Sequence, residues 1–380
     1  MVAASRSAVD VGLLFALRLA PLIVVGPVAG AMADRSGPGR LLAWTNVLSF
    51  ATYGVLAAAA VVPGMILPAI WVSMVVLGGL DAFRLATTGM LVTDAAPATT
   101  GSSAIAISQV AARIGAGVGG LGFGLILAWH GPILAFAMAA ALAAISAVLL
   151  LGPSLAAIPV APRPPDDRLR GAIRDGLGLI ARNRRVRLLA GVAIVAEILG
   201  FSNDGLLPVF AQQVLGLGPS GLGLLYLAVR IGSLLGLTAL VRFGGRLDGR
   251  AIVAMLAVFG LALVGFATST WVAASLTMLA IAGSAAACID VLEQSLMQRS
   301  VSGAERGRAM GVWTICLGFG PVGFIALGFL ASVVGVATAQ LLAGGAMALI
   351  GVGLALWPGV SDDLRGVRPE RVASPGLQPP

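Results

Sequence analysis

The chain has 380 residues, of which 58% are hydrophobic and 11% charged, and its net charge is +8. A soluble domain carries roughly 25% charged residues, so this composition excludes an ordinary soluble protein. All 24 basic residues are arginines, which excludes a P-loop or Schiff-base lysine. His130 is the single histidine, and we interpret Cys288 and Cys316 as small buried hydrophobes. We therefore expect no enzyme activity, no cofactor and no metal site.

Apolar runs long enough to cross a bilayer, about 20 residues each, recur along the whole chain. Breaks at glycine, proline and charged residues divide them into eleven predicted membrane-spanning helices. The spans are 11–33, 41–62, 65–93, 101–128, 131–152, 187–213, 219–243, 251–269, 271–297, 309–333 and 336–357. This pattern predicts an all-α polytopic membrane protein.

The arginines are concentrated in alternate loops. Loops 34–40, 153–186, 244–250 and 298–308 and the tail after Trp357 contain them, whereas the loops on the other side contain none. By the positive-inside rule the arginine-bearing loops and the C-terminus are cytoplasmic, although loop 94–100 on that side lacks arginine. This asymmetry accounts for the basic charge, and we expect no nucleic-acid partner.

The loop 153–186 divides the chain into two predicted bundles. Residues 1–152 hold five spans, residues 187–357 hold six, and 358–380 form a proline-rich tail that we expect to be disordered and cytoplasmic. Part of the loop predicts an amphipathic helix on the inner membrane surface, either a plain connection or a lipid-binding element. Asp81 and Asp290 lie 209 positions apart in helices of the same direction, as expected for two parallel repeats.

The segment from Gly30 to Arg40 reads Gly-Ala-Met-Ala-Asp-Arg-Ser-Gly-Pro-Gly-Arg. It resembles the cytoplasmic loop between the second and third helices of the major facilitator superfamily. The resemblance implies two pseudo-symmetric helical bundles, a small-molecule substrate and a monomeric protein. It also implies a gating loop, in which Asp34 caps the start of helix eleven and Arg35 or Arg40 pairs with Asp94. The alternative is that this segment only sets the membrane topology and has no gating role. The gating residues are Gly30, Asp34, Arg35, Gly37, Arg40 and Asp94.

The position of this loop differs from that family pattern. Only one span precedes it, and five spans rather than six precede the central loop. We therefore expect that the first helix of the family is missing, either because the true start lies upstream or because the chain is truncated.

Three further segments resemble the enterobactin-exporter-like and drug-efflux branch of the superfamily. They are 207–225, 305–311 and the glycine-rich stretch 113–120. The last is similar to the antiporter motif G-P-x-x-G-G, with Ala116 in place of the proline, and its glycines are Gly115, Gly117, Gly119 and Gly120. Close helix packing explains those glycines equally well. The resemblance implies an efflux antiporter in the bacterial cytoplasmic membrane, the cell inner membrane.

Nine ionisable residues lie within the predicted spans. They are Arg18, Asp81, Arg84, Arg113, Glu197, Asp204, Arg230, Asp290 and Glu293. A charge at the centre of a membrane helix costs roughly 2.5–3.5 kcal/mol on insertion scales, so such residues usually face a cavity or a partner. When the missing helix is included in the numbering, none of the nine lies in helices three, six, nine or twelve. Those four are the lipid-facing helices of the family.

Position within each span predicts depth. Arg113, Glu197 and Arg230 are expected near mid-membrane and Asp81 in the cytoplasmic half, together with Arg84, Asp290 and Glu293, whereas Arg18 and Asp204 are expected in the outer half. We expect Glu197 to be the carboxylate that takes up a proton, with Asp81 and Asp290 as second choices.

The partners of these charges remain open. Asp81 and Arg84 are spaced i, i+3 and could simply neutralise each other. Arg113 and Arg230 could contact the ligand or pair with Glu197.

The predicted function is secondary active transport, driven by protons, that exports drugs, siderophores or other amphipathic compounds by alternating access. The alternatives are a proton-coupled importer of a small solute and a membrane sensor or scaffold without transport. The expected partners are the lipid bilayer, a small-molecule substrate and the proton.

Overall fold

The computed structural model describes residues 8–95, 101–152, 176, 178–243, 249–302 and 305–360. Helices dominate these ranges, and the prediction of an all-α membrane protein is confirmed. The helices are α1 (Ala8–Ser36), α2 (Pro38–Ala59), α3 (Ile66–Ala95), α4 (Gly101–Leu150), α5 (Arg184–Val195), α6 (Leu207–Gln213), α7 (Pro219–Phe243), α8 (Arg250–Ala267), α9 (Val272–Arg299), α10 (Arg306–Leu317), α11 (Gly320–Val334) and α12 (Val336–Leu356).

Ten helical stretches in the described part of the chain are long and apolar enough to cross a membrane. The longest, Ile107–Leu150, has 44 residues, whereas about 20 suffice to cross the hydrocarbon core. It breaks at Gly131, whose φ of 80° and ψ of −179° are not helical, and Pro132 follows. The break coincides with the predicted boundary between spans 101–128 and 131–152. The total of eleven crossings stays a prediction.

The span that begins with α5 does not continue as a regular helix. A π-helical turn, Ala196–Gly200, follows α5 directly, and a 3₁₀ turn, Phe201–Gly205, follows it before α6 begins. The Ser202 hydroxyl donates a 2.7 Å hydrogen bond to the Glu197 carbonyl inside this segment. Single π turns within membrane helices turn side chains out of register and are frequent at functional sites. The predicted continuous span 187–213 is therefore interrupted.

Helix pairing repeats between the two parts of the chain. In the N-terminal bundle (α1–α4), α3 packs against α1 and α2, and α2 packs against α4. In the C-terminal bundle (α5–α12), α9 packs against α7 and α8 in the same way, and α8 packs against α12. These matching contacts agree with the repeat predicted from Asp81 and Asp290. The predicted linker and tail lie mostly outside the described residues.

Glycines allow the closest helix crossings. A Cβ added at Gly232 of α7 would overlap the Ala280 carbonyl of α9, and one added at Gly283 of α9 would overlap the Val229 carbonyl of α7. Small residues at such crossings let helix backbones approach within a membrane, where packing rather than water exclusion drives association. Large apolar side chains such as Val241, which is 86% exposed, cover the outside.

Candidate functional site

The N-terminal bundle holds a network of three charged residues. The Asp81 carboxylate accepts a 2.7 Å hydrogen bond from the Arg18 guanidinium and a 3.0 Å bond from that of Arg84. Arg84 also donates to the Ser49 hydroxyl at 3.2 Å. Gly78 brings α3 against the Arg18 backbone, because a Cβ there would overlap the Arg18 carbonyl. The i, i+3 pairing of Asp81 with Arg84, which was the alternative to a role in proton uptake, is present in the structure. Arg18 is a second partner of Asp81.

The depth expected from the sequence separates Arg18 from Asp81, but the structure brings them together. Both are about one-third exposed, so the pair faces an opening rather than the centre of the bundle. The two arginines together neutralise the charge of the Asp81 carboxylate.

A second ion pair joins the two bundles. Arg113 Nη2 of α4 lies 4.0 Å from Asp290 Oδ2 of α9, and the Arg113 side chain is only 16% exposed. Arg230 of α7 and Asp204 of the 3₁₀ turn lie in the same region but form no ion pair within 4.0 Å in the described structure. Of the two roles left open for Arg113, pairing with Glu197 is not found among the described residues, and its carboxylate partner is Asp290 of α9.

The glycine-rich stretch of α4 packs against α7 through two of its four glycines. A Cβ at Gly117 would lie 3.1 Å from the Arg230 Cβ, and one at Gly120 would lie 3.9 Å from the Tyr226 Cβ. Gly115 and Gly119 face open space instead. Gly117 therefore sets how closely α4 and α7 approach beside Arg230.

Glu197 lies in the π turn, between the two bundles. A Cβ added at Gly320 of α11 would lie 3.3 Å from both Glu197 Oε2 and the Leu19 side chain of α1. Among the described residues no arginine lies within 4.0 Å of its carboxylate, and its charged neighbours are Asp290 and Asp204. Glu197 is therefore a carboxylate at the contact between bundles, without a basic partner.

Glu293 is a further carboxylate near this group. It is 3% exposed, and its buried Oε1 has no hydrogen-bond partner in the described structure. It lies beside Trp313 and interacts with Asp290 and Glu197. Four carboxylates, Glu197, Glu293, Asp204 and Asp290, thus lie in the same region as Arg113 and Arg230.

A cavity of ≈ 230 Å³ opens in this region, and of the four carboxylates Asp204 and Asp290 line it whereas Glu197 and Glu293 do not. The charged groups in its wall are the ion pair Arg113 and Asp290, together with Arg230 and Asp204. Most of the remaining wall is apolar, from side chains such as Phe259 and Leu279. A mostly apolar cavity with a few converging polar groups is the usual form of a small-molecule site.

Two residues of this wall were not predicted from the sequence. Gln340 of α12 is 0% exposed, and neither Oε1 nor Nε2 has a hydrogen-bond partner in the described part of the chain. Asn203 of the 3₁₀ turn is 4% exposed, and its Oδ1 is likewise unpartnered. The sequence prediction considered only ionisable groups, although an amide in the otherwise apolar span 336–357 was a visible signal.

The predicted gating loop is shorter in the structure than in the sequence prediction. Helix α1 continues to Ser36, and only Gly37, with a φ of 80°, separates it from α2, where Pro38 takes the first position. Arg40 is exposed. The side chains of Asp34, Arg35 and Asp94 lie outside the described residues, as do the structural surroundings of Gly30. The proposed cap and ion pair stay predictions.

Comparison with known proteins adds three findings. Residues 3–250 match the family model described as Major Facilitator Superfamily. No curated protein matches the chain at a significant level. Among solved structures, a peptide transporter POT in complex with sulfate has a TM-score of 0.75 at 16% identity, covering 94% of this chain and 88% of its own.

Two other solved structures have the same fold. The nucleoside transporter NupG has a TM-score of 0.68 at 16% identity and covers 91% of this chain and 89% of its own. The inward open conformation of the xylose transporter XylE from E. coli has a TM-score of 0.68 at 13% identity, covering 90% and 84%. The three proteins transport chemically different substrates, so the likeness concerns the fold.

Proposed function

The chain belongs to the Major Facilitator Superfamily, and from this premise we propose that it is a proton-coupled transporter that exports small amphipathic molecules by alternating access. Membership makes it a multi-pass membrane transporter rather than an enzyme. The observation that supports proton coupling is the position of Glu197, a carboxylate between the bundles without an arginine partner.

The charge balance of the site favours a role for protons. Arg113 has Asp290 as its partner, and among the described residues no arginine lies within 4.0 Å of Glu197 or Glu293. An unpaired carboxylate inside a membrane is far more stable when a proton neutralises it. Glu197 contacts α11 and lies close to α1, so its charge depends on how the two bundles are arranged.

Contacts between the bundles define which end of the transporter is closed. Near the start of α1, the Phe15 and Phe324 rings stack with centroids 5.2 Å apart. Near the Gly131 break, a Cβ on Gly124 would lie 2.5 Å from the Pro219 carbonyl. Both contacts lie at the end opposite the arginine-bearing loops. Because those loops are taken as cytoplasmic, the closed end is the outer one and the state is inward-facing. Rocking of the two bundles about the Glu197 region would open the outer end.

The cavity supports an amphipathic substrate. Its walls combine charges of both signs with aromatic and aliphatic side chains, which suits zwitterions and amphipathic molecules better than sugars. The direction of transport rests on the resemblance of 207–225, 305–311 and the α4 glycines to the drug-efflux branch. We place the protein in the bacterial cytoplasmic membrane as a monomer, with its C-terminus in the cytoplasm.

The test uses the purified full-length chain in liposomes with an imposed pH gradient. The probes are ethidium, an amphipathic cation, and norfloxacin, a zwitterion. We expect liposomes with an acidic interior to accumulate at least one probe above empty liposomes, and a protonophore to abolish the accumulation. Accumulation that does not depend on the pH gradient would contradict proton coupling. Accumulation only in liposomes with an alkaline interior would support an importer instead.

A further inference from the structure

The unpartnered amides of Gln340 and Asn203 mark one wall of the cavity as a binding site for a specific chemical group. Both residues line the cavity, and both side chains are uncharged amides. A buried polar atom without a hydrogen bond costs roughly 1–3 kcal/mol, so native proteins retain few such atoms. Gln340 Oε1, Gln340 Nε2 and Asn203 Oδ1 therefore need an explanation.

The orientation of the Asn203 amide follows from its other contacts. Its Nδ2 donates to the carbonyls of Leu199 and Gly200, which leaves Oδ1 as the free acceptor. Gln340 offers one donor and one acceptor side by side, whichever way its amide is placed. The wall thus requires a partner with one acceptor and two donors.

Water alone fits this wall poorly. The cavity of ≈ 230 Å³ has the volume of about eight liquid waters. Much of the surface is apolar, from Phe259, Leu263, Leu279 and the small residues of α9. Water binds weakly to this apolar part of the wall, and an apolar molecule with one polar edge would satisfy both that part and the amides.

We propose that this cavity binds the primary carboxamide group of an otherwise apolar or amphipathic substrate, with Gln340 and Asn203 as the residues that recognise it. The carboxamide C=O accepts from Gln340 Nε2, one N–H donates to Gln340 Oε1, and the other donates to Asn203 Oδ1. This assignment rests on the proposed transport function and adds a chemical class of substrate to it.

The geometry also predicts what the site rejects. In a primary carboxamide the C=O and one N–H share an edge and can form two parallel hydrogen bonds with Gln340. A secondary amide is almost entirely trans, which places its N–H and C=O on opposite sides. Sites built around such paired hydrogen bonds discriminate strongly against analogues that leave their polar atoms unpaired.

The test is a binding measurement that needs no transport. Saturation-transfer NMR with the full-length chain in lipid nanodiscs compares benzamide with N-methylbenzamide, and empty nanodiscs correct for partition into lipid. We expect benzamide to bind at least tenfold more tightly than N-methylbenzamide. We expect Gln340→Leu to abolish that preference and Gln298→Leu, a glutamine of α9 outside the cavity wall, to preserve it.

Two outcomes would overturn the proposal: benzamide does not bind the wild-type protein, or it binds Gln340→Leu as well as wild type. In either case water or another group occupies the wall. Gln340→Leu removes two unpartnered buried atoms, so its thermal unfolding temperature should not fall. Gln340→Met is a second variant that keeps the side-chain length. Benzamide binding is measured without a pH gradient, so its failure is distinguishable from a failure of proton coupling.

Discussion

A single methyl group at Gly12 should open the end of the transporter that is closed in this structure. Gly12 of α1 faces α11, and an added Cβ would lie 2.5 Å from the Phe324 carbonyl and 3.1 Å from the Gly328 Cα. The first distance is roughly 1 Å shorter than ordinary van der Waals contact. Both obstacles are backbone atoms of a helix, so they cannot move aside as a flexible side chain would.

The size of the effect follows from overpacking. Extra methyl groups in a packed region cost about 1–3 kcal/mol. Because the contact joins the two bundles, this cost applies to the closed arrangement and is relieved when α1 and α11 separate. A difference of this size changes a two-state equilibrium roughly 5- to 150-fold. Gly12→Ala should therefore favour the arrangement that is open at this end.

Distances between spin labels at positions 62 and 270 would measure this change. Val62 and Thr270 are exposed, and each follows a helix that ends on the same side of the protein as Ala8. Gly12→Ala should increase the population with long distances. Gly26→Ala in the same helix, where nothing lies within 4 Å of the added Cβ, should leave it unchanged. Identical distance distributions for Gly12→Ala and the wild-type protein would refute the reasoning.

Two further predictions concern stability. Asp81→Asn leaves Arg18 and Arg84 without their carboxylate, and since the pair is about one-third exposed we expect a loss of roughly 1–3 kcal/mol in unfolding free energy. An unchanged midpoint of denaturant unfolding would count against this network. Gly283→Ala forces α7 and α9 apart and should destabilise the protein by about 1–3 kcal/mol, whereas Gly345→Ala, with open space around its Cβ, should not. Equal thermal unfolding temperatures for these two variants would show that the crossing is not tightly packed.

Much of the architecture follows from hydropathy and spacing. Continuous apolar runs predicted the membrane helices, and the break at Gly131 falls where Gly and Pro interrupt the sequence. The pairing of Asp81 with Arg84 follows from their i, i+3 spacing on one helix. These features depend on residues close together in the chain. The missing first helix stays a prediction.

The remaining features depend on contacts between distant segments. Arg113 has a carboxylate partner on α9 because helix packing brings Asp290 closer than Glu197, and spacing in the sequence cannot show this. The π turn that positions Glu197 has no clear sequence signature. Gln340 escaped attention because a neutral amide in an apolar helix carries no charge to mark it, although a buried amide also needs hydrogen-bond partners.

The central claim is that Glu197 couples proton movement to transport, and substitution by glutamine tests it most directly. Glutamine has nearly the shape of a protonated glutamate but cannot release the proton. In liposomes, Glu197→Gln should retain exchange of substrate without a gradient and lose at least tenfold in accumulation driven by a pH gradient. Glu305→Gln is the matched control and should couple as wild type does, because the Glu305 carboxylate belongs to a separate ion pair with Arg182. Gradient-driven accumulation by Glu197→Gln equal to that of the wild-type protein would contradict the account.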